Sequence, residues 1–310
     1  MNPLPHLAVA TDFSAPARLA VDRAWLLAAR HGSRLTLLHA LGLDVLAPWR
    51  ALLSERYAAL GSSLHTEAQG QLDALVAEVA AASPPALPVD AQAVVQDGLA
   101  GWTVPDWVRA HAPDLLVVGA RGSSGFKRWV LGSTASKLLR KSACPVLVVK
   151  SAEAKPYRRA VVAVDFSVAS ARSIEMARLL APEADLVLLH AYEVPFEGKM
   201  AFAGVSQELI RQYRRDAHEQ GVQRLAELAA SVGLRPGDYV GFVVEGDPAS
   251  LVLQHQELHR GDLIVMGKHG THVTEELLLG SVTQRVLDET QVDLLVVVEP
   301  HGPDVPSLEP

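Results

Sequence analysis

Apolar residues fall in two patterns along this chain. Short unbroken runs rich in β-branched residues, such as DLLVVG at 114–119 and DLLVVVE at 293–299, have the length and composition of strands buried on both faces. Between them lie longer stretches such as ARLAVDRAWLLAARHG and LDALVAEVAAA, whose apolar positions recur at three- and four-residue intervals, the period of an amphipathic helix. The runs predict strands near 7–10, 34–40, 89–95, 114–119 and 145–150, then near 160–164, 185–191, 239–244, 262–267 and 293–298. Long helices are predicted over 50–82 and 203–232. Their charged positions read as a solvated face and their leucines and alanines as core.

Strands that alternate with helices and carry no polar face imply a parallel sheet covered on both sides. The expected fold class is therefore α/β, with two tandem doubly wound five-stranded parallel-sheet domains of Rossmann-like type. With the nucleotide-binding strand order 3-2-1-4-5, a crevice opens at the carboxyl ends of strands 1 and 4, where the chain reverses direction.

The pattern is written twice. LAVATDFS at 7–14 recurs as VVAVDFS at 161–167, and LLHA at 37–40 recurs at 188–191. A domain at 1–150, a linker SAEAKPY at 151–157, a second domain at 158–300 and a tail at 301–310 are expected. The apolar last strand of each copy, CPVLVVK or DLLVVVEP, would be adhesive if left open.

Composition narrows the class. Hydrophobic residues make up 49% of the 310, and there is one cysteine. The chain therefore reads as globular and not stapled by disulfides. Cys144 stands before a proline at the head of an apolar strand and reads as a small buried hydrophobe. No apolar run approaches the roughly 20 residues of a membrane helix. The N-terminus has no basic segment followed by an apolar core, so a cytoplasmic location is expected. The formal charge of −7 divides unevenly: residues 1–150 hold 14 Lys and Arg against 11 Asp and Glu (+3), and residues 151–310 hold 14 against 24 (−10). Neither half has the basic excess of a nucleic-acid binder.

The chemistry lies in a spacing. GARGSSGFKRWVLGS at 119–133 and GKHGTHVTEELLLGS at 267–281 both read G-x2-G-x9-G-S, each directly after strand 4 of its copy, with the last glycine opening a helix. Glycine permits positive φ and close approach of a ligand to the main chain. Such a loop turns its N–H groups inward as an anion nest, and the free amides of the following helix add their partial positive charge.

On these residues the chain resembles the universal stress proteins, as a tandem two-domain member of their ATP-binding branch, over residues 5–299. The resemblance implies ATP, with or without Mg²⁺, as ligand. Asp12 and Asp165 resemble the acidic residue on the adenine or ribose side, and Ala40 and Ala191 would offer backbone contacts to the base. Val118 and Gly119, like Met266 and Gly267, would line the ribose. Arg121, Gly122, Gly132, Ser133 and Thr134 would hold phosphates in the first copy; His269, Gly270, Gly280, Ser281, Val282 and Thr283 would do so in the second. The family also implies that the last strands of the two copies pair within the chain as a pseudo-dimer; further homo-oligomerisation is compatible with it.

The copies are unequal. The first loop carries Arg121, Lys127 and Arg128 with no acid, whereas the second carries Lys268, His269, His272, Glu275 and Glu276. With its histidines neutral, the second loop is near −1 against +3, so a triphosphate should prefer the first. Neither loop is a Walker A and no general base is evident beside it. A nucleotide-dependent stress-response or regulatory module is therefore favoured over a slow ATP hydrolase or autophosphorylating protein. His255 and His259, one helical turn apart, read as surface decoration rather than a metal site. His39 and His190 read as hydrogen-bonded structural histidines.

Overall fold

The computed structural model describes residues 4–42, 50–83, 88–120, 131–193, 206–269 and 279–298. The chain divides into two compact units, Met1–Pro156 and Tyr157–Glu299.

The first unit contains β1 (His6–Ala10), α1 (Ala15–His31), β2 (Arg34–Ala40), α2 (Arg50–Ala82), β3 (Asp90–Gln96), α3 (Ala100–His111), β4 (Leu115–Gly119), α4 (Ser133–Lys141) and β5 (Val146–Val149). Its strands lie in the order β3-β2-β1-β4-β5, every neighbouring pair parallel. In this register Val9 lies between Leu37 and Val117. All three are fully buried, which is why these strands read as unbroken apolar runs. At the edge, β3 exposes Asp90 and Gln92, polar positions that discourage pairing with another sheet.

The second unit repeats this plan as β6 (Arg159–Ala163), α5 (Val168–Leu180), β7 (Asp185–Tyr192), α6 (Gln207–Ser231), β8 (Tyr239–Glu245), α7 (Pro248–Leu258), β9 (Leu263–Gly267), α8 (Ser281–Glu289) and β10 (Asp293–Val297). Its strands are also parallel, in the order β8-β7-β6-β9-β10. In each unit the first strand is central, and the chain leaves it toward one edge and later returns on its other side. This reversal places a crevice at the carboxyl ends of β1 and β4, and of β6 and β9.

Local chemistry sets the helix ends. Ser14 caps α1, its hydroxyl accepting from Ala17 N at 3.4 Å, with Pro16 in the first turn, and Gly32 ends the helix in the left-handed conformation at φ 64°. Buried Arg23 of α1 donates to the carbonyls of Lys155 and Glu153, so the segment after β5 is tied to α1 of its own unit. Cys144 is buried, and burial pushes its thiol up to about 11, which leaves it un-ionised and chemically quiet.

Among the described residues, no helix is long and apolar enough to cross a membrane.

Candidate functional site

At the end of β1 the backbone continues one residue into the crevice, Thr11 N donating to Leu38 O at 2.9 Å. Asp12 follows, exposed, with its Oδ1 accepting from Ser14 N at 3.1 Å. Between Asp12 and Ser14, Phe13 adopts φ 61°, a conformation that costs a residue with a Cβ roughly 1–2 kcal/mol. Two contacts hold it there. Its N–H donates to Thr11 Oγ1 at 3.1 Å, and its ring packs on His39 with centroids 4.5 Å apart. His39 Nδ1 lies 2.9 Å from Thr11 O. A carbonyl only accepts, so Nδ1 carries the proton.

The loop after β4 is closed at its base by Gly132 N donating to Ala120 O at 2.9 Å. That amide is therefore spent on the chain itself. Gly132 is the N-cap of α4 and supplies no side chain, so the first amides of the helix keep their partial positive charge for an outside acceptor. Ser133 and Thr134 are exposed there. The ends of β1, β2 and β4 and the first turn of α4 enclose a pocket, lined by Asp12, Ala40, Val118, Gly119, Gly132, Ser133 and Thr134. Every candidate of the first copy that lies among the described residues is in this lining; Arg121 and Gly122 lie outside them. Thr11, Ala17, Ala100 and Ala135 line it too and were not singled out from sequence. The alanines carry no chemical signal, and only the helix starts place them.

The motif glycines work differently from the expectation. None of Gly119, Gly132, Gly267 and Gly280 takes a positive φ. A Cβ on Gly119 would lie 2.7 Å from Pro16 O, and one on Gly267 would lie 3.1 Å from the Ala169 methyl. These glycines let the first turns of α1 and α5 approach the ends of β4 and β9. Among the described residues of the motif and its aspartate, the left-handed conformation falls instead on the phenylalanine after the aspartate, Phe13 and its counterpart Phe166 at φ 64°. The repeated DFS was the only sequence trace of it.

The second unit repeats the scaffold. Val164 N donates to Leu189 O at 2.9 Å and Gly280 N to Lys268 O at 2.9 Å. His190 Nδ1 lies 2.9 Å from Val164 O, and its ring packs on Phe166 at 4.2 Å. Burial, with Arg224 nearby, holds His190 below the usual histidine range. Asp165, Ala191, Met266, Gly267, Gly280, Ser281, Val282 and Thr283 lie at the ends of β6, β7 and β9 and in the first turn of α8, with His269 just beyond β9. Gly270, His272, Glu275 and Glu276 of that loop, like Lys127 and Arg128 of the first, fall outside the described residues.

The side chains there bond to one another and to the backbone. Asp165 Oδ1 accepts from Ser167 N at 3.0 Å, Ser167 Oγ at 2.6 Å and Ser170 Oγ at 2.9 Å. The Thr283 hydroxyl donates to Gly267 O at 2.9 Å. The Arg224 guanidinium covers the Phe166 ring at 4.2 Å. Lys268, counted as a loop cation from sequence, is only 4% exposed. His255 and His259 stack at 5.5 Å and both pack on Phe242. They are ring contacts against β8 rather than surface decoration, and His255 is buried. Among the described residues no group of three or more His, Cys, Asp or Glu gathers as metal ligands.

Comparison with known proteins agrees with this architecture. The sequence profile of the Universal stress protein family matches residues 4–150 and again residues 156–298. A universal stress protein of Methanocaldococcus jannaschii is 31% identical over 147 residues, covering 46% of this chain and 84% of that protein. One of Mycobacterium tuberculosis is 29% identical over 215 residues, an alignment that spans 62% of this chain and 65% of the relative. The crystal structure of a universal stress protein from Archaeoglobus fulgidus superposes with a TM-score of 0.68 over 96% of this chain and 99% of that one, at 18% identity.

Proposed function

This chain belongs to the universal stress protein family, and from that premise we propose that its first unit binds an adenine nucleotide, ATP foremost, as the ligand-sensing half of a regulatory protein. The observation that carries the reading is the pocket in which Asp12, Ala40, Val118, Gly119 and the uncapped first turn of α4 converge. Its chemistry suits such a ligand. The Ser133 and Thr134 hydroxyls and the amides of α4 offer donors to phosphate oxygens, the small residues Ala17, Ala100 and Ala135 leave room for the ribose and base, and Asp12 accepts from a hydroxyl or an amine.

The second unit is the weaker site in this proposal. Loop charge favours the first copy, and the polar groups around Asp165 and Thr283 are already engaged with each other and with the backbone. A change in partner affinity between nucleotide-bound and free states is the regulatory output such a module provides.

Isothermal titration of the full chain with ATP, beside Gly132→Val and Gly280→Val, tests this. Gly132 has φ −60° and ψ 145°, which any residue adopts, so valine there obstructs the pocket mouth without straining the backbone. The expected result is loss of the tighter site by at least about tenfold in Gly132→Val, with that site retained in Gly280→Val. Equal losses would remove the ranking, and no binding by the unaltered chain would remove the proposal.

A further inference from the structure

The two aspartates of the repeat have aligned neighbours that do different work. Asp12 aligns with Asp165, Ser14 with Ser167 and Ala17 with Ser170. In the first unit the Ser14 hydroxyl accepts from Ala17 N and caps α1. In the second the Ser167 hydroxyl turns away from α5, which has no side-chain cap, and donates to Asp165 Oδ1 at 2.6 Å. Ser170, 2% exposed, adds a second hydroxyl at 2.9 Å and accepts the Asp165 amide at 3.1 Å. Ala17, which lines the pocket of the first unit, has no hydroxyl to do the same.

We infer that Ser170 is a specificity-determining positioning residue: it holds the Asp165 carboxylate against the first turn of α5 and so sets the lower nucleotide affinity of the second unit. The inference rests on the reading of Asp12 and Asp165 as ligand-recognising groups. A carboxylate oxygen offers about two lone pairs, and Asp165 Oδ1 already receives three donors. A ligand hydroxyl or amine must displace one of these charge-assisted bonds or meet the other oxygen at the angle the serines impose. Removing the Ser170 hydroxyl releases one donor and lets the carboxylate turn. The buried Oγ also sits where the first unit has only the Ala17 methyl, so the substitution enlarges the second crevice.

The test is ATP titration of the full chain in a Gly132→Val background, which leaves the second unit as the binding site read out. Adding Ser170→Ala is expected to tighten that site about tenfold, the effect of one charge-assisted hydrogen bond. Ser170→Thr, which keeps the hydroxyl, is expected to leave it weak. The mirror change Ala17→Ser in the otherwise unaltered chain is expected to weaken the first site by a similar factor. A purely structural role for Ser170 predicts lower thermal stability and no gain in affinity. Should Ser170→Ala fail to fold, Ala17→Ser carries the test alone. No gain in Ser170→Ala, or no loss in Ala17→Ser, overturns the inference while leaving the first-unit proposal standing. No ATP binding by the unaltered chain overturns the underlying reading instead.

Discussion

Gly119 shows how one residue serves both packing and site. Its missing Cβ allows the Pro16 carbonyl within 2.7 Å of where that atom would stand, and so seats the first turn of α1 against the end of β4. Gly119→Ala is expected to destabilise the first unit by about 1–3 kcal/mol, the usual cost of overpacking against backbone, and to weaken ATP binding, because the displaced turn carries Ala17 of the pocket wall. Urea titration followed by calorimetric binding checks both; unchanged stability would show that α1 yields freely. The glycine was legible from the repeat, but its reason was not. A pattern of glycines says that a side chain is unwelcome; only the fold says whether φ or a neighbouring carbonyl is the cause. The strain at Phe13 and Phe166 was hidden for the same reason, since a phenylalanine gives no local hint of a positive φ and is held there by contacts from a distant strand.

Among the elements, the third helix of the first unit and its counterpart in the second make the sharpest contrast. In α7, Asp247 is the N-cap, accepting from Ser250 N at 2.9 Å. It also meets Arg285 of α8 at 2.7 Å, whose Nη2 donates to Ser250 Oγ at 3.0 Å. The hydrogen bonds from Ser250, with Arg285 close by, hold the Asp247 carboxyl below its usual range. In α3 the same place is taken by Leu99, 44% exposed and without a capping bond. Leu99→Asp is expected to stabilise the first unit by about 0.5–1 kcal/mol and Asp247→Ala to cost the second about 1 kcal/mol. Because α3 begins at the pocket wall with Ala100, the new carboxylate is also expected to oppose a polyanion there, so Leu99→Asp should raise the midpoint of thermal unfolding while weakening ATP binding. Element order and type were readable from periodicity in both copies. The boundaries moved by a residue or a few: β3 runs Asp90–Gln96 against 89–95 from the pattern, and α6, capped by Ser206, runs Gln207–Ser231 against 203–232, with 203–205 outside the described residues.

For the molecule as a whole, four histidines among the described residues make stability depend on pH. His6 and His31 in the first unit and His190 and His255 in the second all lie below the ordinary histidine value, burial being the leading cause in each. A group whose folded value lies below its unfolded one binds fewer protons when folded, so stability falls as pH drops through the unfolded value near 6.5. That loss continues until the lower folded values are passed. Calorimetric unfolding is therefore expected to show lower midpoints for both units at about pH 5.5 than at about pH 7.5; a trend that is flat or reversed would mean these rings are solvated in the folded chain. The histidines could be counted from sequence, but not their burial.

The sequence by itself determined the repeat, the alternation of strand and helix, the parallel sheet and the position of the glycine loops, because each follows from short-range periodicity and self-similarity that the chain carries in its own order. The unequal charge of the two loops was also there to read, but only the tertiary structure decided how the bonding around each site differs. It joined Asp165 to Ser167 and Ser170, turned Thr283 onto Gly267 and buried Lys268, while gathering Asp12, Ala40, Gly119 and Ser133 around an open pocket. Hydrogen bonding and burial depend on the angle and distance at which strand ends and helix starts meet, and those are properties of the packed domain rather than of any stretch of residues.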